Sequence, residues 1–468
     1  MESKAVASVQ NLSEKGKRAV RRPGRWKIRS NSPGPRCVQS TIKALTSKET
    51  FGKLEELEAA TEGRRGATAL GAYASGWAAL SRGLALRPER TSAFVRKRTG
   101  LRLYNAARLQ RNIFAATTGA LMRIPHVELI SLVEEIFKAV GCKSDEAERV
   151  ANRLVTSNLV GHDSHGVIRV QSYVEWLRDL KILPDRSIEV VFENDSIAVI
   201  DGQFGLGQSI GEQTMRLAIE KSERSGVAIV ALRNSGHLGR IGDWAEMAAA
   251  AGKLSLHFVN TSGAGLLVSP FGGIDRRLSA NPIAAAVPTG TDMPVILDMS
   301  ACVIAEGKVR VAYHRGDTLP DGCLIDADGN PTNNPADLYA DPPGAILPIA
   351  GHKGYGLSLI TDLFAGALSG GSCTNPANND RVVNNMFTIV IDPSFFASDD
   401  AYREEVQRFV TYVKSARTVT EDGEILVPGE LEARTKAARL KDGIEIAEVT
   451  WGQIVETCQS LGVEHSLL

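Results

Sequence analysis

From Met122 onward, the apolar positions of this chain alternate between two periods. Leu129, Leu132, Val133, Ile136 and Val140 recur every three or four residues, which lines one side of a helix and predicts an amphipathic helix over residues 127–140. Val167, Val170, Val174 and Leu177 repeat that spacing. Asp163 or Ser164 supplies a cap ahead of them, so a second helix is expected to start there with His165 in its first turn. Between such runs lie short apolar stretches bounded by turn residues: 197–200, 227–232 and 295–297 read as strands, 212–222 and 357–368 as helices. Strands alternating with helices from 122 to 468 predict an α/β fold, long enough to bury one large core or two lobes.

Upstream of Met122 the pattern fails. Residues 1–121 hold one convincing helical run, around 45–60, and carry 24 Lys and Arg against 8 Glu, with no Asp and no His. The formal charge of zero is therefore the sum of a +16 extension and a −16 body. The expected division is a weakly structured basic extension, residues 1–121, followed by a globular body, residues 122–468. Three readings of the extension stay open: an Arg-rich, Ser-rich organelle transit peptide, a nonspecific nucleic-acid arm, or sequence upstream of a functional start at Met122. No apolar run approaches the roughly 20 residues of a membrane span, and no signal-peptide core is visible, so no membrane partner is expected. The acidic body is not expected to bind nucleic acid. Cys37, Cys142, Cys302, Cys323, Cys373 and Cys458 are scattered without a CxxC pair, which fits a reducing, cytoplasmic compartment and argues against a zinc or iron–sulfur site.

Candidate chemistry concentrates in a few segments. In GHDSHGVIR (161–169), His165 and Arg169 are four residues apart and share one helical face. A neutral imidazole can take a proton while a guanidinium grips a carboxylate through two hydrogen bonds, a pairing suited to small hydroxy or keto acids. A capped helix with both side chains in solvent explains the same spacing. The run Gly202, Gly205, Gly207 and Gly211 between two strands and a helix outlines a dinucleotide-binding unit. Two features weaken that outline: Asp201-Gly202 reads as a turn, and Arg233 stands where an acidic residue would hold a ribose. His237 lies between glycines after a buried strand, and Asp298-Met299-Ser300 ends another with groups suited to ribose hydroxyls or amides. Lys353, in Gly351-His352-Lys353-Gly354, precedes a helix and suits a phosphate. Asp326-Ala327-Asp328-Gly329-Asn330 reads as a hairpin turn, since its Gly comes too early for a calcium loop. His162 and His165 lack a second ligand cluster, so no metal is expected.

Taken in order, GHDSHGVIR, NSGHLGRIGDWA, SPFGG, ANPIAAAVP, DMS with AEGKV, DADGNPT, GHKGYGLSL, and PGELEART with ARLKDGI resemble the malate/L-lactate dehydrogenase-like family of NAD(P)-dependent oxidoreductases. The resemblance covers the body and none of residues 1–121. It implies a non-Rossmann NAD(P)-binding α/β fold with a mixed sheet and flanking helices, overriding the glycine-rich candidate. It places the active site on Ser164, His165, Arg169 and His237, and cofactor contacts on Asn260, Thr261, Asp298, Met299, Ser300, Lys353, Gly354, Gly429, Glu430 and Arg434. It further implies NAD or NADP as cofactor, a homodimer, and a small 2-hydroxy or 2-keto acid substrate such as malate, lactate or ureidoglycolate. Alternatives within the family are reduction of a cyclic imino acid, or cofactor binding without catalysis. One departure is visible: Cys323 stands where many relatives have an aromatic residue, which puts packing or substrate fit there in question.

Overall fold

The computed structural model describes residues 122–263, 265–378 and 381–468. The basic extension, its run near 45–60 and Cys37 lie outside the described residues. The body opens with β1 (Met122–Ile124), α1 (His126–Ala139), α2 (Ser144–Leu159) and α3 (Val170–Arg178). Then follow β2 (Glu189–Glu193), β3 (Ile197–Asp201), α4 (Gly207–Ser225), β4 (Val227–Ser235), α5 (Gly242–Ala250), β5 (Leu254–Thr261), β6 (Ile283–Val287) and β7 (Val295–Met299). The last third contains α6 (Glu306–Arg315), β8 (Leu324–Ile325), β9 (Pro331–Thr332), β10 (Ala345–Ile346), α7 (His352–Asp362), β11 (Asn384–Ile391), α8 (Asp399–Lys414), α9 (Glu430–Asp442), β12 (Ile444–Ile446) and α10 (Glu448–Leu461).

The helical period at the start of the body does what the pattern requires. Leu129, Leu132, Val133, Ile136 and Phe137 of α1 pack with Val150, Leu154, Val170, Val174 and Leu177 into a buried helical core that Ile454 and Cys458 of α10 complete. β1 pairs antiparallel with β12, so the start and end of the body close one lobe. The second lobe is a seven-stranded sheet in the order β2-β3-β4-β11-β5-β6-β7. Only β3 and β4 run parallel, joined by the crossover helix α4; the other pairings are antiparallel. This mixed order is not that of a doubly wound parallel sheet. α4 and α5 cover one face with a core that includes Ile200, Val230, Leu232, Met386 and Trp244. Phe258 and Phe387 on the opposite face meet the ring of Phe364, just past α7. A small sheet, β10-β8-β9, packs with α6 over a third core that contains Cys323, so the cysteine is accommodated there as a buried apolar side chain.

The βαβ unit expected around residues 197–232 is present, and its glycines pack against the protein's own atoms. A Cβ at Gly207 would lie 2.0 Å from the carbonyl oxygen of His237, and one at Gly211 would lie 2.4 Å from Cζ2 of Trp244. They let α4 approach the sheet and the His237 loop closely, which is one of the two uses open to such a run. The DADGN segment is the β8–β9 hairpin turn, with Asp326 accepting from the backbone amides of Asp328 and Asn330 at 3.0 and 2.8 Å. Among the described residues no helix is long and apolar enough to cross a membrane.

Candidate active site

The loop after α2 is shaped by an asparagine. Asn158 Oδ1 accepts the backbone amide of Val167 at 2.8 Å, and a Cβ at Gly166 would sit 2.2 Å from that same oxygen. Asp163–His165 therefore forms one 3-10 turn, Gly166 breaks it, and Val167–Arg169 forms a second that leads into α3. This corrects the expected placement of His165 in the first turn of the helix. Asp163 caps nothing; its carboxylate receives Asn158 Nδ2 at 2.7 Å and both terminal nitrogens of Arg439 at 2.7 and 3.0 Å, tying the loop to α9. The helix dipole is accordingly not what keeps His165 neutral.

Burial is. His165 and His237, one on this loop and one at the carboxyl end of β4, lie with rings nearly parallel, centroids 5.6 Å apart and 12° between planes. Burial drops His165 to about 3, with the charges of Arg169, His162 and Arg240 adding to the effect. Burial and then Arg169 also hold His237 well below the ordinary histidine range. Each ring uses one nitrogen inside the protein: His165 Nδ1 lies 3.0 Å from Ser164 Oγ, and His237 Nδ1 lies 2.6 Å from the Tyr173 hydroxyl. Neither Nε2 has a partner among the described residues. Arg169 donates Nε to the carbonyl of Ser164 at 2.6 Å, and its guanidinium forms no ion pair among the described residues. Two neutral imidazoles and a guanidinium without an ion pair thus share one partly buried place, an arrangement that can receive an anion and move a proton beside it.

The end of β7 gathers the other segments around this place. Ile296 donates its amide to the carbonyl of Pro428 at 3.0 Å, which sets Gly429 and the start of α9 alongside the strand. Asp298 Oδ2 accepts the amide of Gly242 at 3.0 Å, at the start of α5, and lies 3.8 Å from His162 Nδ1 and 3.6 Å from Arg240 Nε. Past Met299 and Ser300, the amide of Ile349 reaches the carbonyl of Ala301 at 2.9 Å, which brings α7 with Lys353 and Gly354 to the same edge. A Cβ at Gly307, in the first turn of α6, would lie 3.1 Å from Cβ of Ser164. One continuous stretch, residues 295–307, therefore touches the segments that carry most of the sequence candidates.

Comparison with known proteins decides what this arrangement belongs to. Residues 124–455 match the family model described as Malate/L-lactate dehydrogenase. The chain belongs to that family. It is 39% identical over 344 residues to hydroxycarboxylate dehydrogenase B of Escherichia coli O157:H7, covering 73% of this chain and 94% of that one. It is 36% identical over 346 residues to an L-lactate dehydrogenase of Cupriavidus necator, covering 73% and 99%. The solved structure of a putative malate/lactate dehydrogenase from E. coli superposes with a TM-score of 0.70 at 38% identity, covering 73% of this chain and 96% of that one.

In this member of the family not every candidate faces the same space. Asn260 is buried with its amide fully engaged: Nδ2 donates to Asp362 at 2.7 Å and to Ser372 at 3.1 Å, and Oδ1 accepts from Asn385 at 2.9 Å. Thr261 Oγ1 accepts from Asn384 at 3.1 Å, and Asn384 also accepts the amide of Leu238 at 2.9 Å. These residues brace the loop that carries His237 from behind. Glu430 pairs with Lys414, and Arg434 pairs with Glu424 at 2.6 Å on the exposed side of α9. Lys353 is exposed and forms no ion pair among the described residues. Sequence reading missed Asn158, Arg439, Asn384, Tyr173 and Gln208. For Tyr173 a signal existed, since it follows Arg169 by four residues on the same helical face.

Proposed function

We propose that this chain catalyses reversible hydride transfer between a nicotinamide cofactor, NAD or NADP, and the carbinol carbon of a small 2-hydroxy acid. The observation that carries the reading is the guanidinium of Arg169, without an acidic partner among the described residues, beside two imidazoles held neutral, each with one nitrogen unengaged by those residues. Arg169 holds the substrate carboxylate, and the two rings flank the adjacent hydroxyl, where one accepts its proton at Nε2. The cofactor, when bound, supplies the hydride chemistry. The donor set fits such a group: among the described residues the contacts of Asp298 run through Oδ2 and leave Oδ1 for a hydroxyl or amide, Ser300 Oγ donates to the Cys302 carbonyl at 3.3 Å and keeps a lone pair, and Lys353, without an ion pair there, offers a cation for a phosphate. Glu430 and Arg434 stand in the first two turns of α9, each engaged by a neighbouring side chain, Lys414 and Glu424.

The test is a panel of 2-hydroxy acids with each cofactor, followed by absorbance of the reduced nicotinamide. Turnover of at least one acid is expected, and none with any acid would defeat the proposal. His165→Ala and His237→Ala should differ, one losing turnover by roughly 10² to 10⁴-fold and the other losing far less. Unchanged turnover in both would remove the assignment. We propose in addition that the working form is a homodimer. Leu359, Ile360 and Leu363 of α7 and its extension are 40%, 43% and 43% exposed, with Leu368 at 61%, an apolar strip suited to a second copy. Light scattering that finds only monomer would reject this.

A further inference from the structure

The nitrogen that His237 turns inward is held by a short chain of polar groups. Its Nδ1 lies 2.6 Å from the hydroxyl of Tyr173, and Nε2 of Gln208 lies 3.0 Å from the same hydroxyl. Tyr173 is 1% exposed and Gln208 2% exposed, so water does not compete for these contacts. The direction of the chain depends on which end of the Gln208 amide faces Tyr173. At the other end of that amide, the buried oxygen Oε1 has no partner among the described residues. Reversing the amide would put an NH₂ there, leaving two N–H donors unmet instead of one donor and one acceptor, which costs more because buried N–H groups tolerate the loss of a partner least. The amide nitrogen therefore donates to the tyrosine oxygen. Burial holds the Tyr173 phenol up at about 12, so it keeps its proton, and that proton has Nδ1 of His237 to go to.

We propose that Tyr173 and Gln208 are positioning residues that lock His237 as the tautomer protonated on Nε2, so that this ring donates a hydrogen bond to the substrate oxygen and does not act as the base. The inference rests on the functional reading above and assigns its two imidazoles different work. Among the described residues the His165 ring has one hydrogen-bond partner, the Ser164 hydroxyl at 3.0 Å, a group able to donate or accept, so its tautomer is not fixed and its Nε2 can take the hydroxyl proton. The stacked rings then present one donor and one acceptor to the same carbinol oxygen.

The direct test is the two-bond proton–nitrogen spectrum of the full chain labelled with nitrogen-15 histidine, with the His237 signals identified by their loss in His237→Gln. His237 should show a protonated Nε2 and a bare Nδ1 throughout pH 6 to 8. Tyr173→Phe should mix the two tautomers and lower kcat about tenfold, with KM and cofactor affinity changed less than about threefold. Gln208→Met should shift the tautomer in the same sense. A wild-type ring protonated on Nδ1, or doubly protonated at neutral pH, overturns the inference. So does Tyr173→Phe or Gln208→Met with spectrum and kcat unchanged. If Tyr173→Phe does not fold, the wild-type spectrum and Gln208→Met decide alone. The expected tautomer in a protein that oxidises no 2-hydroxy acid would defeat the functional reading only, and an active enzyme with the other tautomer would defeat this inference only.

Discussion

Replacing Arg169 by Met should erase the distinction between a 2-hydroxy acid and its amide. Among the described residues the guanidinium spends only Nε, on the Ser164 carbonyl at 2.6 Å, and leaves its two terminal nitrogens for a ligand. Two parallel bonds to a carboxylate are each charge-assisted, at about 1.5–3 kcal/mol net for a hydrogen bond to a charged group, and dehydration of the anion takes back part of the sum. A net of about 3 kcal/mol corresponds to roughly a hundredfold in kcat/KM. An amide substrate keeps the shape and loses the charge, so it gains little from Arg169 in the first place. The assay is kcat/KM, by absorbance of the reduced nicotinamide, for the acid and its amide on the wild type and Arg169→Met. The acid should fall about a hundredfold and the amide by less than about tenfold, collapsing the ratio towards one, with cofactor affinity by fluorescence titration unchanged. The same change removes the largest charge acting on His165, yet burial is the larger cause of its low value, so the ring should stay neutral at pH 7. A variant that keeps the wild-type preference for the acid would refute the argument, because some other group would then be holding the carboxylate.

Acid should destabilise the fold in a defined window. His257 is fully buried between Ser255 and Thr388 and is pushed down to about 3, and His165 and His237 are lowered as well. The unfolded chain, with ordinary values near 6.5, then binds more protons than the folded one, so stability present above about pH 6.5 is lost as the pH falls towards 3, by about 1.4 kcal/mol per pH unit for His257 alone. Urea unfolding at pH 7.5 and 5.5 measures this, and a flat profile would contradict it. Gly211→Ala should cost about 1–3 kcal/mol through the clash with Trp244 and leave cofactor affinity of the folded protein unchanged; weakened cofactor binding would restore the dinucleotide-cradle reading. Deleting residues 1–121 should leave melting temperature and turnover nearly unchanged at physiological ionic strength, and a truncated protein that fails to fold or turn over substrate would show that the extension belongs to the enzyme.

What the sequence by itself determined is local. The helical periods at Leu129–Leu132–Ile136 and Val170–Val174–Leu177 report burial on one side of a helix, and α1 and α3 bury those residues. The strand–helix–strand run at 197–232 and the DADGN hairpin are equally local, since period and turn chemistry act over a few residues. The motif residues His165, Arg169, His237 and Asp298 were legible as chemistry. Only the tertiary structure decided how they meet. Asn158 ends the turn at Gly166 and so takes His165 out of the helix that periodicity assigned to it. Tyr173 reaches His237 across 64 positions, and Arg439 reaches Asp163 across 276. No spacing along the chain encodes such contacts, because they form only when separate lobes have packed and their loops have closed. The glycines at 207 and 211 make the same point: a short side chain says that something comes close, and whether that is a phosphate or a Trp244 ring depends on what the fold packs against it.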